Sequence, residues 1–137
     1  MKNRLFLACL LLSCSAQSLQ AAPSPVPSEF TGDWVPQKQP CHSTLRLRVA
    51  SVFVSLINGK DVQRFANPEL CHTCAGGARY QGNEVWLAPG PGDDEATPFT
   101  VRFNANEEKR ITVVEIEDYA LKKRFPLHNV KLRKCAP

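Results

Sequence analysis

Residues 45–66 read LRLRVASVFVSLINGKDVQRFA. Leu45, Leu47 and Val49 alternate with Arg46 and Arg48, the period of a strand with one buried face. Ser51 to Ile57 is β-branched and apolar and runs into Asn58-Gly59, a strong signal for a tight hairpin turn. Asp61 to Ala66 is then the return strand. Three strands and a tight turn in 22 residues, with no helical period, set the chain in the all-β class.

The same grammar continues on both sides. Asn83 to Leu87 reads as a strand before the turn-rich Pro89-Gly90-Pro91-Gly92-Asp93-Asp94. Phe99, Val101 and Phe103 alternate with Thr100 and Arg102, Asn104 to Glu108 turns the chain, and Arg110 to Ile116 returns. Asp118 is placed to cap one helical turn over Tyr119 to Arg124, because an aspartate oxygen accepts from an orphan amide there. Val130 and Leu132, alternating with Lys131 and Arg133, make a last strand ending at Cys135. No helix-period stripe, internal repeat or second domain interrupts the series. Short strands with regular turns predict one small antiparallel β-barrel or barrel-like sandwich over residues 30–137. A closed barrel removes exposed edges, which favours it in a small chain.

The N-terminus reads as an address. Met1-Lys2-Asn3-Arg4 is basic, Leu5 to Leu12 is apolar, and Ser18 to Ala22 supplies small residues. That order is a secretory signal peptide over residues 1–22; its apolar run is shorter than the roughly 20 residues of a membrane-spanning helix. Pro23 to Glu29 reads as an extended spacer. An alternative cut comes from Leu11-Leu12-Ser13-Cys14, which resembles the lipobox of bacterial lipoproteins. On that reading Cys14 carries the acyl anchor, and Ser15 favours delivery to the outer membrane. The two cuts leave about 115 and about 124 residues, each enough for one core. Removing Lys2 and Arg4 with the leader takes the formal net charge from +4 to +2, so bulk charge offers no argument for nucleic acid. From Tyr119 onward six basic residues and no acid occur, among them Lys122, Lys123 and Arg124. They read as solvated faces, or as a cationic patch for lipid headgroups or acidic glycans.

Export decides how the cysteines are read. Cys41, Cys71, Cys74 and Cys135 survive either cut and predict two disulfides, with three possible pairings. Cys71-His72-Thr73-Cys74 also has the spacing of thiol-disulfide oxidoreductases, but Ala75-Gly76-Gly77 is a poor helix start after it. Cys41-His42 and Cys71-His72 offer zinc ligand types; in an oxidising space such thiols pair with each other, so no metal and no cofactor is expected. Haem attachment needs His directly after the second cysteine, and Ala75 stands there. His128 reads as a turn residue, and Asp93-Asp94-Glu95 as a solvated turn lacking the spacing of a calcium loop. Nucleophile elbow, zinc-protease helix and phosphate loop are all missing.

Two resemblances add to this. Phe30-Thr31-Gly32-Asp33-Trp34 resembles the Gly-x-Trp opening of lipocalin-like barrels, and Glu117-Asp118-Tyr119 resembles a reduced form of their second motif. The resemblance implies that Trp34 plugs one end, covered by Arg124 or Arg133. Gly76-Gly77-Ala78-Arg79-Tyr80, followed by Trp86 and Gly90, resembles the Ser-Gly-x-x-Tyr loop of bacterial periplasmic lysozyme inhibitors, with Gly76 where their serine stands. That resemblance implies a loop entering the lysozyme cleft, with Gly76, Gly77, Tyr80 and Trp86 as binding residues. The expectation is a monomeric, non-catalytic binding protein of the bacterial envelope, periplasmic or secreted, whose partner is an envelope ligand or protein. A lysozyme-inhibitor-like protein and a redox protein using Cys71 and Cys74 are the alternatives.

Overall fold

The structure, a computed structural model, describes residues 25–71, 85–89, 97–103 and 112–136. The elements run β1 (Gly32–Pro36), β2 (Leu45–Val49), β3 (Phe53–Asn58), β4 (Asp61–Ala66), β5 (Glu69–Cys71), β6 (Val85–Ala88), β7 (Phe99–Phe103), β8 (Thr112–Ile116), α1 (Tyr119–Arg124) and β9 (Lys131–Lys134). All nine strands belong to one sheet in the order β4-β3-β2-β1-β9-β8-β7-β6-β5, every pair antiparallel. The sheet is curled into a half-barrel. Its two outermost strands, β4 and β5, are separated in sequence only by Asn67 and Pro68, so the chain carries itself from one edge of the sheet to the other. Asn67 takes a left-handed φ of 50° at that corner, which asparagine tolerates better than most residues.

The β3–β4 hairpin is the one expected from the sequence, with Asn58 opposite Asp61 and Gly59 at φ 63° as the first central residue, a position glycine favours. β3 begins two residues later than read from the sequence, because Ala50 donates to Phe53 O at 2.9 Å and turns the chain there. β5 was not expected; Glu-Leu-Cys is too short to show alternation. Asp118 caps α1 through Oδ1, which accepts from Leu121 N at 2.7 Å.

Strand alternation sends one face of the sheet inward. Leu47, Val54, Leu56, Leu87, Phe99, Val101, Phe103, Val114 and Ile116 are wholly buried there. Phe65 on β4 meets Phe99 on β7 edge-on, centroids 4.9 Å apart, so the curl brings distant strands into contact across the interior. Both ends are stopped. At the end of the β2–β3 turn, Val26 and Phe30 are buried, and Val26 N donates to Ser51 O at 2.8 Å. The segment expected as a mere spacer thus supplies a core residue, because Val26 has apolar surface to bury. At the end of the β3–β4 hairpin, α1 and the turn after it insert Leu121, Phe125 and Leu127.

Trp34 is buried, 7% exposed, 5.3 Å from the Phe103 ring. The cation beside it is neither Arg124 nor Arg133 but Lys134, whose Nζ lies 5.9 Å from the indole and donates to Glu29 O at 2.9 Å. Register explains the correction: Trp34 faces Lys134 across β1 and β9, whereas Arg133 faces Val35 on the other side of the sheet. Gly32 serves this corner. Its φ is 127°, and a Cβ there would meet Lys134 Cε at 3.1 Å.

Candidate functional site

Cys41 and Cys135 form a disulfide across a separation of 94 residues. It ties the 37–44 connection to the end of β9, beside the β1–β9 pairing. Cys71 closes β5 and is also disulfide-bonded. Its register partner is Trp86, half-buried on β6, which in turn faces Arg102 on β7. Cys74, Gly76, Gly77, Tyr80 and Cys14 all lie outside the described residues. Among the described residues no three His, Cys, Asp or Glu side chains gather as metal ligands, and no helix is long and apolar enough to cross a membrane. A disulfide bond is compatible with an extracytoplasmic location.

Lys122, Lys123 and Arg124 occupy the last turn of α1, where cations suit the negative end of the helix. They do not act as one group. Arg124 turns back to β4 and donates to Asp61 Oδ1 and Oδ2 at 2.6 and 3.0 Å, and its own carbonyl accepts from Asn58 Nδ2 at 2.9 Å. The Arg124 hydrogen bonds hold the Asp61 carboxyl below its ordinary range. Arg124 is therefore a clasp between α1 and the β3–β4 hairpin. His128 Nδ1 accepts from Ile116 N at 3.0 Å, the structural part expected of a turn residue.

The interior and the exterior differ sharply as places for a ligand. A ligand cavity leaves its lining accessible to a water-sized sphere. Here the inward residues of five strands, from Leu47 on β2 to Ile116 on β8, are wholly inaccessible, and their rings touch.

On the outer face the register assembles an arginine cluster that periodicity alone does not reveal. Asp33 lies opposite Arg48, Arg48 opposite Ser55, and Ser55 opposite Arg64. Arg48 takes both Asp33 oxygens, Nε to Oδ1 at 2.7 Å and Nη2 to Oδ2 at 2.9 Å. These bonds, against some desolvation and aided by the charges of Arg48 and Arg46, hold the Asp33 carboxyl below its usual range. Arg46, two residues along β2 on the same face, is left with its Nε 3.8 Å from Asp33 and without a hydrogen-bond acceptor on that buried atom. Arg64 lies over the Phe53 ring, with Cζ 3.7 Å from its centroid. Across β1, Arg133 lies opposite the wholly buried Val35 and donates to Gln39 O at 2.7 Å.

No family model, curated protein or solved structure matches this chain.

Proposed function

We propose that the protein is an exported, non-catalytic binding protein of the bacterial envelope that engages its partner with its outer surface. The observation that carries this reading is the filled interior: side chains wholly buried from β2 to β8 and stopped at both ends leave the exterior as the place where specificity is built. The leader and the Cys41–Cys135 bridge support export. Release after cleavage near Ala21 or Ala22 is the preferred sorting, with acylation at Cys14 as the alternative.

Titration of the mature protein with a fluorescent fatty acid tests the reading. No saturable binding is expected, and one-to-one binding would overturn it. Expression of the full chain in a Gram-negative host tests export. The expected product is a periplasmic protein beginning near residue 23 with no free thiols; a cytoplasmic, reduced product overturns export, and a diacylglyceryl-modified Cys14 changes the sorting.

The lysozyme-inhibitor reading is the second, because it too works from a filled barrel. It requires inhibition of a C-type lysozyme at micromolar protein, strengthened by Gly76→Ser. Absence of inhibition in both proteins ends that reading. The redox reading requires Cys71 and Cys74 to exchange with a thiol substrate, and an insulin-reduction assay decides it.

A further inference from the structure

We infer that the outer face of β4, β3, β2, β1 and β9 is a binding site for a linear anionic glycan, seated on Arg46, Arg48 and Arg64 and continued by Lys131 and Arg133. The inference deepens the outer-surface reading given above by naming a face and a partner.

The face is short of anions. Five cations project from it, and Asp33 is the carboxylate among them. That carboxylate gives both oxygens to Arg48, so Arg46 holds only a distant share, at 3.8 Å, with its buried Nε lacking an acceptor. Among the described residues no carboxylate lies against Arg64, Lys131 or Arg133. Arg46 Nη1 donates to Ser43 O at 3.3 Å, and the side chain is 27% exposed, so a second oxyanion would pair with its accessible edge.

The geometry favours a chain over a membrane. The five strands span roughly 19 Å across the sheet at the usual strand spacing, in a row perpendicular to the strands. The curled sheet is convex here; a flexible polymer can follow it, whereas a flat bilayer meets it along a narrow line. The guanidiniums are held low, Arg48 by Asp33 and Arg64 on the Phe53 ring, rather than extended. Four of the five cations are arginine, whose planar fork pairs with carboxylate, sulfate or phosphate through two bonds, whereas lysine is a point charge. Among the described residues the exposed large hydrophobic ones, Val52, Val62 and Tyr119, are dispersed over a turn, a strand and the helix and give no joint anchor for insertion into lipid.

The test uses the mature, disulfide-bonded protein and a heparin-derived hexasaccharide, a linear sulfated and carboxylated probe, by calorimetry at about 50 mM salt, where screening is modest. Saturable binding is expected, weakened ~10-fold by Arg46→Gln with Arg64→Gln, as for loss of paired charges across an interface. Lys122→Gln with Lys123→Gln removes the same charge from α1 and should change affinity less than about twofold. Arg64→Gln alone, at an exposed position, serves if the double variant does not fold, and should weaken binding about threefold. No saturation, equal losses in both double variants, or tighter binding to phosphatidylglycerol vesicles than to the hexasaccharide would overturn the site. Such a failure leaves the outer-surface reading intact, because that reading falls to fatty-acid binding and not to this probe.

Discussion

Trp34 Nε1 donates to the carbonyl of Phe30 at 3.0 Å, while both rings pack on Phe103, at 5.3 and 4.7 Å. One indole thus satisfies its buried N–H and fixes the segment that stops one end of the barrel. Trp34→Ala should cost ~3–5 kcal/mol, the range for large-to-small core changes. Trp34→Phe should cost about 1 kcal/mol beyond any repacking, for the lost hydrogen bond. Urea denaturation of the two variants checks both; a Trp34→Phe cost near zero would show that the hydrogen bond contributes nothing.

The Cys41–Cys135 bridge closes a loop of 94 residues, and cross-links of that length restrict the unfolded chain by ~4–5 kcal/mol in the chain-entropy picture. Cys41→Ser with Cys135→Ser should lower stability by an amount of that order, and the intact mass of wild-type protein alkylated without reductant should show neither cysteine labelled.

Asp33 predicts an acid limb. Its folded carboxyl titrates below the ordinary 3.8 because Arg48 hydrogen-bonds the charged form. The group therefore contributes stability that is present above its unfolded pKa and is lost as pH falls through the lower folded value. The contribution is small, at most ~1 kcal/mol for so accessible a pair. The gap in urea midpoint between wild type and Asp33→Asn should be constant from pH 7 to about pH 5 and close below pH 4. A gap unchanged at pH 2 would contradict the assignment.

Asp118→Ala should cost ~1 kcal/mol, the usual loss of an N-cap oxygen, and should speed amide exchange over residues 119–125 more than in the strands. Arg124→Ala, which loosens the clasp to Asp61 without touching the cap, should cost less, because both partners are exposed. The reverse order would mean that the clasp, not the cap, holds the helix.

Much of this molecule was legible in its sequence because much of it is local. Alternation at Leu45, Leu47 and Val49, the glycine of the hairpin, and Asp118 before Tyr119–Arg124 are signals carried within a few residues, and each became the element expected. What was not legible depends on register between distant strands. Lys134 lies beside Trp34 because β1 and β9 pair; Arg133, one residue away, points to the opposite face. Arg46, Arg48 and Arg64 looked like the polar halves of separate strands, and only the β1–β2–β3–β4 alignment sets them on one face, two of them beside Asp33 and the third over Phe53. Val26 was hidden by its prolines, and β5 by its length. Of the residues singled out beforehand, Arg124 proved to be a clasp and Cys71 one end of a disulfide.

The pairing of β1 with β9 also sets the order of events in the life of the chain. Until Lys131–Lys134 is present, β1 has β2 on one side and no neighbour on the other, and the two arms of the meander, β2–β4 and β5–β8, have no strand pairing between them and only Asn67 and Pro68 as a covalent link. A polypeptide emerging N-terminus first therefore cannot complete its sheet before its last strand arrives, and pairings at such sequence separation form slowly. The Cys41–Cys135 bond then records that the meeting of the two ends has taken place.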